Sequence, residues 1–163
     1  MSEPRIIPVG GGTSFPGPTG TPMTVKLGAD VTHGAYSLIE YTHAPHAPGP
    51  PPHVHHEHEE AFHVISGRLT LDVDEDTFQL GAGEFMVVPR GSVHRPYNTS
   101  DEAVTFFFIA SPAMDGFFAE MAELNDATRG APTPEQLREI GERWDSEFTD
   151  LPTSGHVDMV NEG

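Results

Sequence analysis

A β-sandwich or barrel followed by two helices is the fold class that this 163-residue sequence predicts. Three observations predict it. Apolar residues alternate with period two in short segments, the pattern of half-buried strands. Turn formers punctuate the chain, with 17 glycines and 16 prolines spread along it. Beyond "AVTFFFIA" the apolar spacing changes to that of amphipathic helices. No internal duplication is visible, and the length suits one domain with a real core.

The elements follow in order. Residues 1–22, rich in Gly, Pro, Ser and Thr, are expected to form an N-terminal arm. A β-domain is expected over 23–112, a helical segment over 113–150 and a frayed tail over 151–163. Thr24–Leu27 and Tyr36–Tyr41 read as the first strands. "THAPHAPGPPP" is a connection, because proline cannot donate to a central ladder. His53–Ser66 is extended with a break in its charged middle, and "GRLTLDV" alternates Leu69, Leu71 and Val73 inward. Strands are also expected around Phe78, in "EFMVVP", in "HRPYN" and in "AVTFFFIA". The last is apolar on both faces, which predicts a strand covered on both sides. Phe117, Phe118, Met121 and Leu124 mark a helix packed on the barrel exterior. "TPEQLREIGERW" marks another, with Thr133 as cap, Pro134 at the first turn, Gln136 as capping-box partner, and Leu137, Ile140 and Trp144 as its buried stripe.

Composition excludes several classes of function. There is no cysteine, which removes disulfides, thiolate zinc, iron–sulfur clusters and a thiol nucleophile. Eight basic against 25 acidic residues give a net charge of −17, which argues against nucleic acid and anionic membranes as partners. The N-terminus lacks the pattern of a signal peptide, and no apolar run approaches a membrane span. A soluble cytoplasmic protein is the expectation.

Two spans carry chemistry. "PPPHVHHEHEEAFHVISG" places five histidines and three glutamates between Pro50 and Gly67. His53 and His55, two apart on an extended chain, project from one face, so their rings can converge on one ion. A carboxylate further on, at Glu60, can complete that face from a neighbouring stretch. The second span, "GEFMVVPRGSVHRPYN", makes a tight Pro89–Gly91 turn and delivers His94 at the start of the returning strand. Three imidazoles and a carboxylate suit Mn, Fe, Co, Ni, Cu or Zn and offer no thiolate to select zinc.

These spans resemble the two signature motifs of the cupin superfamily. Gly83, Pro89, Gly91, His94 and Asn98 match the second motif throughout, and His53, His55, Glu60 and Gly67 match the first. Gly49 departs from it, lying closer to His53 than the pattern asks. The resemblance implies a jelly-roll β-barrel in which His53, His55, Glu60 and His94 bind a divalent transition metal. Glu59 also fits the variable spacing, but only Glu60 leaves six residues before Gly67. Inward alternation from Glu60 selects Phe62 and Val64, whereas Glu59 would place His63 in the core.

The wider layout resembles the quercetin dioxygenase-like monocupins. That implies cleavage of a flavonol or related enolic aromatic by dioxygen, with Glu60 as catalytic base. The alternatives are a cyclase or isomerase of a polyketide-like enol, which needs no dioxygen, and a non-catalytic ligand-binding cupin. A homodimer is expected, with an arm or outer strand covering a neighbour's sheet edge. His56 and His58 are expected at the surface or beside the ligands, and His63 outward. His33, His43, His46 and His156 are expected at the surface. Asn98 and Pro89 are expected to be structural. Phe62, Leu71, Met86, Val88, Phe106 and Phe108 are expected to be core or cavity wall.

Overall fold

The computed structural model describes residues 4–17, 21–128 and 132–151. Among the described residues, eleven strands form two antiparallel sheets facing each other. The larger sheet holds β1 (Thr13–Phe15), β2 (Met23–Leu27), β3 (Ser37–His43), β5 (Glu59–Ser66), β8 (Phe85–Val88) and β10 (Val104–Ser111), in the order β1-β2-β3-β10-β5-β8. The smaller holds β4 (His53–Val54), β6 (Arg68–Val73), β7 (Asp76–Gly81), β9 (His94–Tyr97) and β11 (Glu147–Phe148), in the order β11-β4-β9-β6-β7. The barrel expected from sequence is therefore an open sandwich, since β1, β8, β11 and β7 each end a sheet.

Alternation builds the core. Ile39, Tyr41, Phe62, Val64, Leu69, Leu71, Val104, Phe106 and Phe108 all point between the sheets and are buried. Strand β10 departs from expectation on its other face. Thr105, Phe107 and Ile109 are only half-buried, because among the described residues no element covers that side of the strand. Its apolar content serves instead a partly exposed surface on which His63 stacks on Phe85, ring centroids 4.0 Å apart.

Within the stretch read as an arm, Thr13–Phe15 is a short strand paired with Met23–Val25. A single-turn helix, α1 (Ala29–Thr32), follows β2. Helix α2 (Asp115–Thr128) buries no residue completely, and its main anchor is Phe118, edge-on to Phe108 at 5.5 Å. Helix α3 (Pro134–Arg143) carries the full capping box of Thr133 and Gln136. Only Ile140 of the predicted stripe is fully buried; Leu137 and Trp144 are half-buried. Residues 152–163 of the predicted tail lie outside the described residues, as does His156. No helix among the described residues is long and apolar enough to cross a membrane.

His43 corrects the sequence reading. Rather than lying at the surface, it is 1 % exposed, because its position on β3 has the inward parity of Ile39 and Tyr41. The Tyr41 and Phe106 rings meet it edge-on at 4.7 and 5.1 Å, and its Nδ1 has no hydrogen-bond partner. Burial pushes its pKa down to about 4 from an ordinary 6.5. The folded state therefore binds fewer protons than the unfolded chain between those values. The stability contribution is complete above the unfolded value and is lost as pH falls toward the folded one. At about 1.4 kcal/mol per pH unit, the loss approaches roughly 3 kcal/mol. His43→Leu should flatten the urea-midpoint profile across this window relative to the wild type; two parallel profiles would refute the account.

Candidate metal centre

The two sheets meet at the predicted ligands. His53 starts β4 and pairs with His94, the first residue of β9. His55 follows β4 directly, and Glu60 comes from the opposite sheet, in register with Val88 and Ala110. Local structure explains each placement. Gly49 has φ +72°, and a Cβ there would lie 2.0 Å from the Pro96 carbonyl oxygen, so the displaced motif glycine still marks a close approach to β9. Gly67 turns β5 into β6 with φ +79°, its Cα so near Ala103 that a Cβ would lie 2.4 Å from the carbonyl. In the Pro89–Gly91 turn, the Gly91 N–H donates to the His55 carbonyl at 2.7 Å, tying the second motif to the first. The Asp74 turn bonds Val93 twice, through its own N–H (2.7 Å) and its carboxylate (3.0 Å), and so fixes the approach to His94.

One ring nitrogen or carboxylate oxygen from each of His53, His55, Glu60 and His94 lies within 4.8 Å of the others. His55, Glu60 and His94 are buried, and His53 is half-buried beside them. Each imidazole is oriented by a backbone carbonyl: His53 Nδ1 to Pro51 at 2.9 Å, His55 Nδ1 to Asp145 at 2.5 Å, His94 Nδ1 to Ser92 at 3.1 Å. A carbonyl only accepts, so each Nδ1 carries a proton, and each Nε2 faces the cluster, where it offers a lone pair whenever it is unprotonated. Glu60 Oε2 lies 3.1 Å from His94 Nε2, and Oε1 lies 3.5 Å from His55 Nε2.

Electrostatics in this cluster pull in opposite directions. Burial and the neighbouring His94 hold His53 neutral, its pKa at about 3. Burial would lower His55 too, but contact with Glu60 overrides it and leaves the ring above its ordinary value. Burial would raise Glu60, but the His55 and His94 rings overcome it and hold the carboxyl far below the carboxylate range. Glu60 is thus a buried anion that requires positive charge beside it.

The residues present fit a divalent ion. His55 Nε2 is a buried polar atom without a hydrogen-bond partner, and it faces the other three groups. Three Nε2 atoms and one carboxylate, each imidazole secured through its far nitrogen, make a donor set that could hold a divalent metal.

The surrounding residues divide cleanly. Glu59 is exposed and pairs with Arg90 at 3.6 Å, whereas Glu60, Phe62 and Val64 point inward. His56 is exposed, with Nε2 2.9 Å from Glu147. His58 is mostly covered and donates from Nδ1 to Asp145 at 2.8 Å. Asn98 is buried and bonds the Ala44 and Glu102 carbonyls and both polar groups of Ser100, a loop-fixing role. Phe62, Leu71, Val88, Phe106 and Phe108 belong to the closed core, with Met86 packed against it. Sequence reasoning missed Asp145, Ser146 and Phe148, which reach the ligands from the C-terminal end. Asp145 is 90 residues from His55, and no local spacing signals the contact.

A β-sandwich with a buried site of three histidines and one carboxylate, able to bind a metal, is the class these observations define. Residues 39–110, less than half of the chain, match the cupin domain family. Among solved structures, KdgF from Halomonas sp. superposes with a TM-score of 0.52 at 18% identity, over 60% of this chain and 83% of that one. A sugar phosphate isomerase from a cupin superfamily of Silicibacter pomeroyi gives 0.51 at 21% identity, over 58% of this chain and 61% of that one. These show the fold alone. In sequence, the chain is 36% identical over 73 residues to an uncharacterized protein of Aquifex aeolicus, and 38% identical over 60 residues to polyketide synthase CurC of Streptomyces cyaneus. The matches cover 45% and 37% of this chain, and span 60% and 39% of those relatives. None of these comparisons reaches the quercetin dioxygenase subtype.

Proposed function

We propose that the protein is a metal-dependent enzyme of a small enolisable substrate, binding one substrate oxygen at the His53–His55–Glu60–His94 centre and moving a proton through Glu60. The observation that carries this reading is the unpartnered Nε2 of buried His55, facing a carboxylate held ionised by the His55 and His94 rings. When bound, a divalent ion supplies Lewis acidity that brings a substrate proton's pKa toward that of a carboxylate. Glu60 then accepts that proton. Val88 and Ala110 flank it in register and limit water on the core side. His53, His55 and His94 stay fixed by their carbonyl partners while this happens.

Cyclisation or isomerisation of a polyketide-like enol is the first form of this reaction, and the partial similarity to polyketide synthase CurC supports it. Flavonol cleavage by dioxygen is the second, and it rests on the sequence resemblance to the quercetin dioxygenase-like monocupins alone. Both start with the same proton transfer. The test is to load the metal-free protein with Mn, Fe, Co, Ni or Cu in turn and offer polyketide-like enols and flavonols. Substrate absorbance and dioxygen uptake are followed together. Turnover without uptake assigns the cyclase or isomerase, and turnover with stoichiometric uptake assigns the dioxygenase. Tight binding with no turnover on any metal would refute the enzyme reading and leave a binding protein.

A further inference from the structure

We propose that Asp145 is a positioning residue for the metal centre, its carbonyl setting the ring of His55 and its carboxylate shaping the loop of residues 55–58. The inference rests on the metal-centre reading given above. It brings the segment after the C-terminal helices to a site whose candidate ligands come from three strands and the loop after β4.

The geometry is dense for one residue. The Asp145 carbonyl accepts from His55 Nδ1 at 2.5 Å. Its Oδ1 accepts from the His56 N–H at 2.9 Å, and its Oδ2 from the Glu57 and His58 N–H groups at 2.7 and 3.0 Å. His58 Nδ1 donates to the same Oδ2 at 2.8 Å. Three consecutive backbone N–H groups between β4 and β5 thus converge on a single carboxylate. That loop has no ladder to satisfy it, so without Asp145 those donors lose their partner.

Asp145, His58 and His55 also lie close enough together to suggest a second ion site. The hydrogen bonds argue otherwise. Every donor facing the Asp145 carboxylate is an N–H, so its oxygens are occupied as acceptors, and His55 Nδ1 already donates to a carbonyl. The cluster is a brace.

The brace is held from behind. Asp145 has φ +51°, a left-handed conformation that Asp and Asn tolerate better than most residues. It sits just past α3, where the Ser146 N–H returns to the Gly141 carbonyl at 2.8 Å. Trp144 before it donates Nε1 to Glu120 of α2 at 2.7 Å and packs its ring against Gly116, where any side chain would strike it. After it, β11 pairs with β4, setting Phe148 opposite His53 with ring centroids 5.9 Å apart. The segment is therefore fixed at both ends and presses on both His53 and His55.

The test uses full-length Asp145→Gly and Asp145→Asn. Glycine keeps the left-handed backbone and deletes the carboxylate; asparagine keeps the shape and loses half the acceptor capacity. Three quantities are read: Mn(II) or Ni(II) affinity by competition with a chelating dye, the melting temperature of the metal-free protein, and the His55 Nδ1–H proton signal in NMR of the metal-free protein. Asp145→Gly should weaken metal binding by about 10- to 100-fold, as loss of an outer-shell partner does, with Asp145→Asn intermediate. The His55 Nδ1–H signal, protected in the wild type, should be lost to exchange in Asp145→Gly. Metal affinity within twofold of the wild type and an unchanged His55 signal would overturn the proposal, even if the melting temperature fell. Should the wild type take up no metal while the His55 signal still vanishes in Asp145→Gly, the positioning role stands and the metal-centre reading fails.

Discussion

Glu60→Gln is expected to lower turnover by about 10²- to 10⁴-fold at saturating metal, the range for loss of a positioned general base. The glutamine keeps the volume and one accepting oxygen, so the barrier to folding is small while the proton acceptor is gone. His94→Ala should separate the two functions of the site differently. It removes a lone pair donor and weakens metal binding by more than the roughly 10- to 100-fold of an outer-shell change. A metal at 100 times its Kd stabilises the folded state by about 2.7 kcal/mol, which for a chain of this size raises the melting temperature by roughly 5–10 °C. That rise should be present in the wild type and absent in His94→Ala. His94→Ala also leaves Glu60, 6 % exposed, facing only one of its two imidazole contacts, so its carboxyl should climb toward the neutral form. Turnover in Glu60→Gln equal to the wild type would remove Glu60 as base, and a full metal-induced shift in His94→Ala would remove His94 as ligand.

The convergence of His53, His55, Glu60 and His94 was legible in the sequence for a geometric reason. His53 and His55 share a strand parity, His94 follows a turn marked by Pro89 and Gly91, and the inward alternation Glu60, Phe62, Val64 distinguishes Glu60 from Glu59. Each of these signals is local, spanning a few residues, and each is carried by the backbone period itself. The strands were readable on the same footing, and so was the Thr133–Gln136 capping box, because its partners are three residues apart.

What sequence could not show is set by contacts between distant segments. Whether the sheets close depends on edge pairings, and β1, β8, β11 and β7 find none that complete a ring. His43 could have been assigned inward by extending the Ile39–Tyr41 parity, but a histidine carries no apolar signal to mark it. Asp145 had no local mark at all: its partners are the N–H groups of residues 56–58, nearly ninety positions earlier. The face of β10 bearing Phe107 looked covered because its side chains are apolar, yet hydrophobicity alone does not name a covering element.

Phe106→Ala is expected to have the largest effect on stability. Phe106 is 1 % exposed at the middle of β10, opposite Tyr41 on β3 and Val64 on β5. Its ring meets His43 at 5.1 Å, Tyr41 at 6.0 Å and Phe62 at 6.1 Å. Truncation removes the ring from a site walled by strand backbone on both sides, which cannot collapse into the void. The expected loss is about 3–5 kcal/mol, a fall of roughly 10 °C or more in melting temperature. Phe107, one residue on, points to the half-buried outer face, and Phe107→Ala should cost well under half as much. Metal affinity of the folded Phe106→Ala protein should stay within a few-fold of the wild type. The imidazoles are aimed by the carbonyls of Pro51, Asp145 and Ser92, and among the described residues the core ring paired with a candidate ligand ring is Phe62, 6.5 Å from His94. A Phe106→Ala protein that folds yet loses its metal would show that the core, and not the backbone carbonyls, holds the ligand rings in place.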